Sequence, residues 1–108
     1  MLGERPIPRR LLADDMRVCV PDGRGGFAAP VEVSGVCFQG GQSVSGDAHR
    51  AADAGGGTVF VDAVNSEGAF EVPAGSRVEI GGASLYVREC KRLRGFNGRI
   101  HHWELEVS

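Results

Sequence analysis

The 108-residue sequence lacks the features that mark membrane, secreted and zinc-binding proteins. No apolar run approaches the ~20 residues that a membrane-spanning helix needs, and the pair Leu11–Leu12 is too short for the apolar part of a signal peptide. The three cysteines, Cys19, Cys37 and Cys90, are odd in number, lie far apart and include no CxxC pair. We therefore expect buried, reduced thiols, with neither a disulfide framework nor a structural zinc site.

Side chains suited to catalysis are also scarce. Histidine occurs only at His49, within a Gly-rich stretch, and at His101 and His102 near the end of the chain, so no converging nucleophile, base and orienting group is visible. The Gly-rich stretch lacks the Lys-Ser/Thr pair that completes a phosphate-binding loop. We expect no enzyme and no cofactor. Three carboxylates are interpreted as turn or solvent-facing residues: Asp62, Glu71 and Glu79.

Glycine, in contrast, is abundant. The 17 glycines cluster between short apolar runs, a punctuation typical of turns between short strands. This pattern predicts an all-β fold, a small antiparallel β-barrel or sandwich. The slip in alternation at Gly35 indicates a β-bulge. The predicted main strands are 16–20, 30–38, 58–64, 77–80, 84–90 and 99–107, with a shorter one at 69–72.

The chain is expected to form a single β domain over residues 1–108. Residues 1–14, with prolines at positions 6 and 8, are interpreted as an extended arm. Residues 39–57 have almost no large apolar side chain and are expected to form a long flexible Gly-rich loop. A short helix over 47–54 is an alternative for the centre of that loop, although eight residues are marginal for an isolated helix.

The last stretch, GRIHHWELEVS, alternates between two faces as a half-buried strand does. His101 shares its face with Trp103, while His102 shares the other face with Glu104. We therefore expect the two imidazoles to point apart and to bind no common metal ion, and we expect His102 to pair with Glu104. The predicted core comprises Phe38, Val59, Val61, Leu85, Val87, Trp103, Leu105 and Val107.

Charge is segregated along the chain. Residues 22–80 contain eight acidic residues and three arginines, whereas residues 88–99 contain five basic residues against Glu89 alone. Opposite signs on two parts of one subunit suit head-to-tail association of identical copies. Two alternatives stay open: a solvated surface without a role, and nucleic-acid binding in which Phe96 stacks between arginines. The acidic balance of the whole chain, with a pI near 5.9, disfavours the second alternative.

Three stretches together resemble one family. IPRRLLADDMRVCV resembles the opening of the small minor capsid, or head-completion, proteins of tailed bacteriophages and prophages. TVFVDAVNS resembles the central strand and turn of that family, and SRVEIGGASLYVRECKRLRGFNGRIHHWELEVS resembles its ending. The resemblance covers nearly the whole chain, with residues 39–57 the least matched part.

The resemblance implies a structural role as a connector or stopper at the portal vertex, built on a small β-barrel with a long internal loop that lies in the lumen of a ring. It implies no catalytic residue. The implied partners are portal or adaptor proteins, tail-completion proteins, further copies in a ring and packaged DNA, with no membrane; the isolated subunit is either monomeric or self-associated. The implied location is the head–tail junction of the virion, reached from the host cytoplasm during assembly.

Within this implied role, the closing strand contributes a wall of the barrel and the basic hairpin contributes an interface. The residues of the family-signature strand are His101, His102, Trp103 and Glu104. The interface candidates are Arg88, Lys91, Arg92, Arg94, Arg99, His102 and Glu104.

Overall fold

The computed structural model describes residues 5–40 and 56–108, and within these ranges six antiparallel strands close into a barrel in the order β1-β2-β3-β6-β5-β4. The all-β prediction is confirmed, with a barrel rather than a sandwich. No helix in the described ranges is long and apolar enough to cross a membrane. The strands are β1 (Asp14–Cys19), β2 (Val31–Gly40), β3 (Gly57–Asp62), β4 (Arg77–Ile80), β5 (Ala83–Arg94) and β6 (Ile100–Val107).

The predicted bulge at Gly35 is confirmed. Asp14 pairs with Val36 and Asp15 pairs with Ser34, which leaves Gly35 as the extra residue of β2. Gly35 has a φ of 76°, a conformation that glycine adopts without the steric cost of a side chain. Its N–H donates to Asp15 Oδ1 at 3.0 Å. The bulge restores the inward parity of β2, so that Val33 and Val36 are both buried.

The barrel interior contains seven of the eight predicted core residues, among them Trp103 and Leu105. Phe38 is the exception, since it is only partly buried and packs against the core from near the end of β2. Alternation assigned its face correctly but could not show that this position lies at the rim of the barrel. The core also contains Met16, Val18, Val33, Val36, Val72, Val78 and Ile80.

The predicted short strand at 69–72 is wrong. The connection from β3 to β4 makes one isolated bridge with β2, at Ser34 and Glu67, and then inserts Val72 into the core. Its end is fixed by the N–H of Gly75, which donates to the carbonyl of Val87 at 2.8 Å. Only one side chain of this apolar run enters the interior, whereas a strand alternates repeatedly between two faces.

The chain on either side of the first strands also differs from expectation. A 3₁₀ turn at Arg9–Leu11 interrupts the expected extended arm, and β1 already begins at Asp14. The strands β2 and β3 take up both ends of the expected loop, while residues 41–55, with His49 and the alternative helix, lie outside the described ranges.

The three thiols are unpaired with one another, as expected, but only Cys19 is buried. Cys37 and Cys90 are half-buried, and partial burial raises the pKa of the Cys90 thiol because removal from water disfavours the thiolate.

Candidate interaction surface

The β5–β6 hairpin extends beyond the closed part of the barrel. The strand β4 pairs only with the first part of β5, from Ala83 to Tyr86, whereas β5 continues to pair with β6 as far as Arg94. The tip is a tight turn in which the N–H of Gly95 donates to the carbonyl of Arg99 at 2.9 Å. The side chain at the tip, Phe96, is 82% exposed. Since β6 keeps β3 as its other neighbour as far as His102, only the tip of the hairpin projects, and it presents an aromatic side chain.

One of the five basic side chains on this hairpin is held within its own subunit. The guanidinium of Arg92 donates to both carboxylate oxygens of Glu71, at 2.7 and 2.6 Å, a bidentate geometry that is specific to arginine. The indole Nε1 of Trp103 donates to Glu71 Oε1 at 3.0 Å. Hydrogen bonds from Arg92 and then from Trp103 lower the pKa of Glu71 to about 2. Arg92 is thus a link between β5 and the β3–β4 connection.

Two further basic residues also have contacts within the same subunit, on the surface of the barrel. Arg88 Nε donates to Ser108 Oγ at 2.7 Å, and its guanidinium carbon lies 5.7 Å from the centroid of the Tyr86 ring. Lys91 Nζ lies 3.9 Å from Glu106 Oε2, a distance typical of a weak exposed ion pair.

The positive charge at the tip is therefore carried by Arg94 and Arg99. Arg94 Nη1 donates to the carbonyl of Gly98 at 2.9 Å, a contact that keeps its charge uncompensated. Among residues 5–40 and 56–108, no carboxylate lies within ion-pair distance of Arg94 or Arg99. Arg94 and Arg99 thus flank Phe96 at the tip, while the other three basic side chains pair with groups of their own subunit.

The expectation that His101 and His102 point apart is wrong. Leu93 pairs with His102 and Arg94 pairs with Ile100, so His101 is an extra residue in β6. Such an insertion interrupts the alternation of faces. The two rings meet edge to face with centroids 5.1 Å apart, and their Nδ1 atoms are 2.8 Å apart.

Each imidazole also has a second partner in the protein. His101 Nε2 faces the carbonyl of Arg5, and His102 Nε2 lies 3.0 Å from Glu104 Oε2. The pair therefore bridges the N-terminal segment and Glu104 of β6.

This geometry confirms the expected contact between His102 and Glu104. It also removes the original argument against a shared metal ion, which was that the two rings point apart. All four ring nitrogens are directed at protein atoms, and the described part of the chain contains no group of three potential metal ligands. A metal-free pair stays a prediction, now argued from these hydrogen bonds.

A buried cluster beside the histidines was missed by sequence reasoning. Asp62, interpreted as a turn or solvent-facing residue, is fully buried. Its Oδ1 accepts from the N–H of Ile7 at 2.9 Å, and its Oδ2 accepts from the N–H groups of Val64 and Asn65 at 2.9 and 2.8 Å. Asn65 Nδ2 donates to the carbonyl of Ile7 at 2.8 Å. We call Asp62 and Asn65 the arm latch, because together they hold both polar backbone groups of Ile7.

The neighbouring Ser66 connects this latch to the bulge. Its hydroxyl accepts from the N–H of Asp62 at 2.8 Å and donates to the carbonyl of Gly35. The signal in the sequence was the Asp-x-x-Asn-Ser run that follows a strand, since an aspartate commonly accepts from backbone N–H groups two and three residues later.

A family model described as minor capsid protein matches residues 8–107. The searches of curated proteins and of solved structures found no match. The matched range contains all six strands, both residues of the arm latch, and the projecting hairpin.

Proposed function

This chain belongs to the minor capsid protein family, a structural family of the virion, and we propose that it acts as a head–tail connector that joins or closes the portal vertex of a phage head for tail attachment. In this role the protein works through surfaces that bind neighbouring proteins. The partners are portal or adaptor proteins, tail-completion proteins and further copies arranged in a ring.

The projecting β5–β6 hairpin is the observation that carries the proposal. The closed sheet leaves backbone groups open only where one strand outruns its neighbour, as β5 outruns β4, which limits association by strand addition. The proposal therefore rests on side chains that extend from the barrel. The hairpin offers Phe96, Arg94 and Arg99 in this position, a combination of an aromatic and arginines that is enriched in protein interfaces.

Repetition around a ring suits the modest strength of such contacts. One exposed ion pair contributes about 0–1 kcal/mol, which leaves an isolated subunit monomeric in dilute solution. On a portal that holds several copies close together, each contact becomes an effectively intramolecular event at high local concentration. The proposal therefore predicts weak self-association in solution and firm assembly on the head.

Attachment of purified protein to DNA-filled heads that lack it tests the proposal. Wild-type protein is expected to bind at one vertex and to restore tail attachment, while R94E/R99E is expected to fold and to bind poorly. The matched control is R9E/R10E, which reverses two exposed arginines of the 3₁₀ turn and is expected to bind as wild type does. Binding over the whole head surface, or equal binding of both double variants, would contradict the proposal.

The same variants distinguish the DNA alternative, which the position of Phe96 between Arg94 and Arg99 favours. Contact with DNA predicts that the isolated protein binds duplex DNA with a steep salt dependence, and that R94E/R99E loses this binding. Sub-micromolar, salt-sensitive binding by the wild type would move the function of the hairpin to the nucleic acid in the channel.

A further inference from the structure

A groove with apolar walls lies on the surface between the β1–β2 connection and the β3–β4 connection. Its volume is about 410 Å³, and Glu32 is the one charged residue in its lining. Val31, in its wall, is 45% exposed, a high fraction for an apolar side chain at the start of a strand. We call this feature the β1–β2 groove, and its apolar lining includes Val20, Ala28, Ala29, Val31 and Phe70.

We infer that Phe96 of one copy docks into the β1–β2 groove of a second copy, which gives the ring a repeated head-to-tail contact. The inference rests on the proposed function for its ring and names the two surfaces that meet in it. Phe96 is the most exposed large apolar side chain in the described ranges, at 82%. Such exposure means that Phe96 does not fill the groove of its own chain.

The charges around the two surfaces are complementary. Arg94 and Arg99 flank Phe96, while Glu32 lines the groove and Glu67 precedes Gly68 in its wall. Glu32 already pairs with Arg17 at 2.8 Å, but within the described ranges no basic side chain lies within ion-pair distance of Glu67. An arginine of the incoming tip can therefore pair with Glu67 as Phe96 enters. Two tips, in contrast, carry charges of the same sign, and this repulsion disfavours contact between them.

The barrel topology gives the two surfaces the arrangement that a ring needs. The β1–β2 pair is separated from the β5–β6 pair by β3 on one side and by β4 on the other. Because β2 and β6 both run antiparallel to β3, both begin at the end of the barrel where β3 finishes. The tip and the groove thus lie at the same end of the barrel and belong to different strand pairs. Each copy then uses its tip on one neighbour and its groove on the other.

Disulfide trapping between two different single-cysteine variants tests this contact. F96C and A29C are made separately in a C37S/C90S background, which leaves only the buried Cys19, and are then mixed and oxidised, both in concentrated solution and on heads. The expected product is a covalent dimer in the mixture and little dimer from either variant alone. A chain carrying both substitutions is expected to give a ladder of multimers.

Several outcomes would overturn the inference. Efficient dimerisation of F96C alone would indicate a tip-to-tip contact, and a link from F96C to a portal or tail protein would assign the tip to another partner. The absence of a mixed dimer both in solution and on heads that have bound both variants would also overturn it. A different outcome would contradict the proposed function itself: neither the variants nor the wild type would bind at the vertex.

Self-association of the purified protein gives a second measurement. F96A is expected to weaken self-association by roughly tenfold or more in sedimentation, as truncation of an aromatic anchor commonly does. V64A is the matched control, since Val64 is 69% exposed and lies outside the groove lining. A29W should weaken association in the same way by filling the groove. Unchanged association in F96A and A29W would contradict the inference.

Discussion

The replacement of Asp62 by alanine is expected to cause one of the largest losses of stability available to a polar substitution in this barrel. The carboxylate is fully buried and accepts hydrogen bonds from three backbone N–H groups, those of Ile7, Val64 and Asn65. Hydrogen bonds to a charged group contribute about 1.5–3 kcal/mol each, but their effects are not additive because the three donors share one acceptor group. We therefore expect D62A to lower the free energy of unfolding by about 3–5 kcal/mol.

The substitution D62N separates the two functions of this carboxylate. The asparagine oxygen can still accept from the N–H groups of Val64 and Asn65. In that orientation its NH₂ group faces the N–H of Ile7, so the hydrogen bond to the arm is lost. The expected loss is about 1–3 kcal/mol, the cost of one unsatisfied donor. Amide exchange at Ile7 should accelerate in D62N, while exchange at Asn65 should stay close to that of the wild type.

Urea unfolding with a constant m-value measures both losses. E67A is the control, because it removes a nearby exposed carboxylate and should change the free energy of unfolding by at most about 0.5 kcal/mol. A loss below about 1 kcal/mol in D62A would refute the assignment of Asp62 as the acceptor that holds the turn and the arm. Equal acceleration of exchange at Ile7 and Asn65 in D62N would refute the division between its two oxygens.

Three further predictions concern β6 and its neighbours. W103A should lower the free energy of unfolding by about 3–5 kcal/mol in urea titrations, since it empties a buried site; a loss below about 1 kcal/mol would place the indole at the surface. The pKa of Glu71 is lowered to about 2, so its stabilisation is present above the unfolded-state value of about 4.3 and disappears as the pH falls toward 2. E71Q should therefore be less stable than the wild type near neutral pH and should approach it below about pH 2, as followed by acid unfolding; parallel curves would contradict this sign. Protein purified without chelator should contain no stoichiometric zinc, nickel or iron by elemental analysis, and one equivalent of metal lost on H101A would refute the hydrogen-bonded histidine pair.

The alternation of apolar and polar residues predicted which side chains of several strands face the barrel interior. The strand around Val59 and Val61 and the closing strand around Leu105 have inward parities that the sequence displays directly, and burial in the barrel follows from it. The bulge at Gly35 was also local, since the slip and the glycine adjoin in the sequence. The same rule failed for Phe38, because its burial depends on how far the neighbouring strands extend around it.

The errors at the candidate site have a non-local cause. The face of His101 changes because β6 contains one residue more than β5 at that position, and nothing within HHWE shows the register of the partner strand. Asp62 is buried because the N-terminal segment covers it, 55 residues away in sequence. The role of Arg92 likewise depends on Glu71, which belongs to a different connection. Charge counting along the chain could not distinguish Arg92 from Arg94. Arg92 forms an ion pair with Glu71 of the same subunit, whereas Arg94 forms no ion pair within the described ranges.

The stretches that carry the family resemblance meet in three dimensions. Asp62 of TVFVDAVNS pairs in register with His102 of HHWE, and the two motifs hold the same arm: Asp62 binds the N–H of Ile7, while His101 contacts the carbonyl of Arg5. Their polar side chains therefore join the N-terminal segment to β3 and β6. This arrangement explains how side chains that look suited to chemistry, a buried carboxylate beside two imidazoles, can be fully used in structure. We propose that contact with other proteins is made by the part that these motifs leave projecting, the tip that carries Phe96.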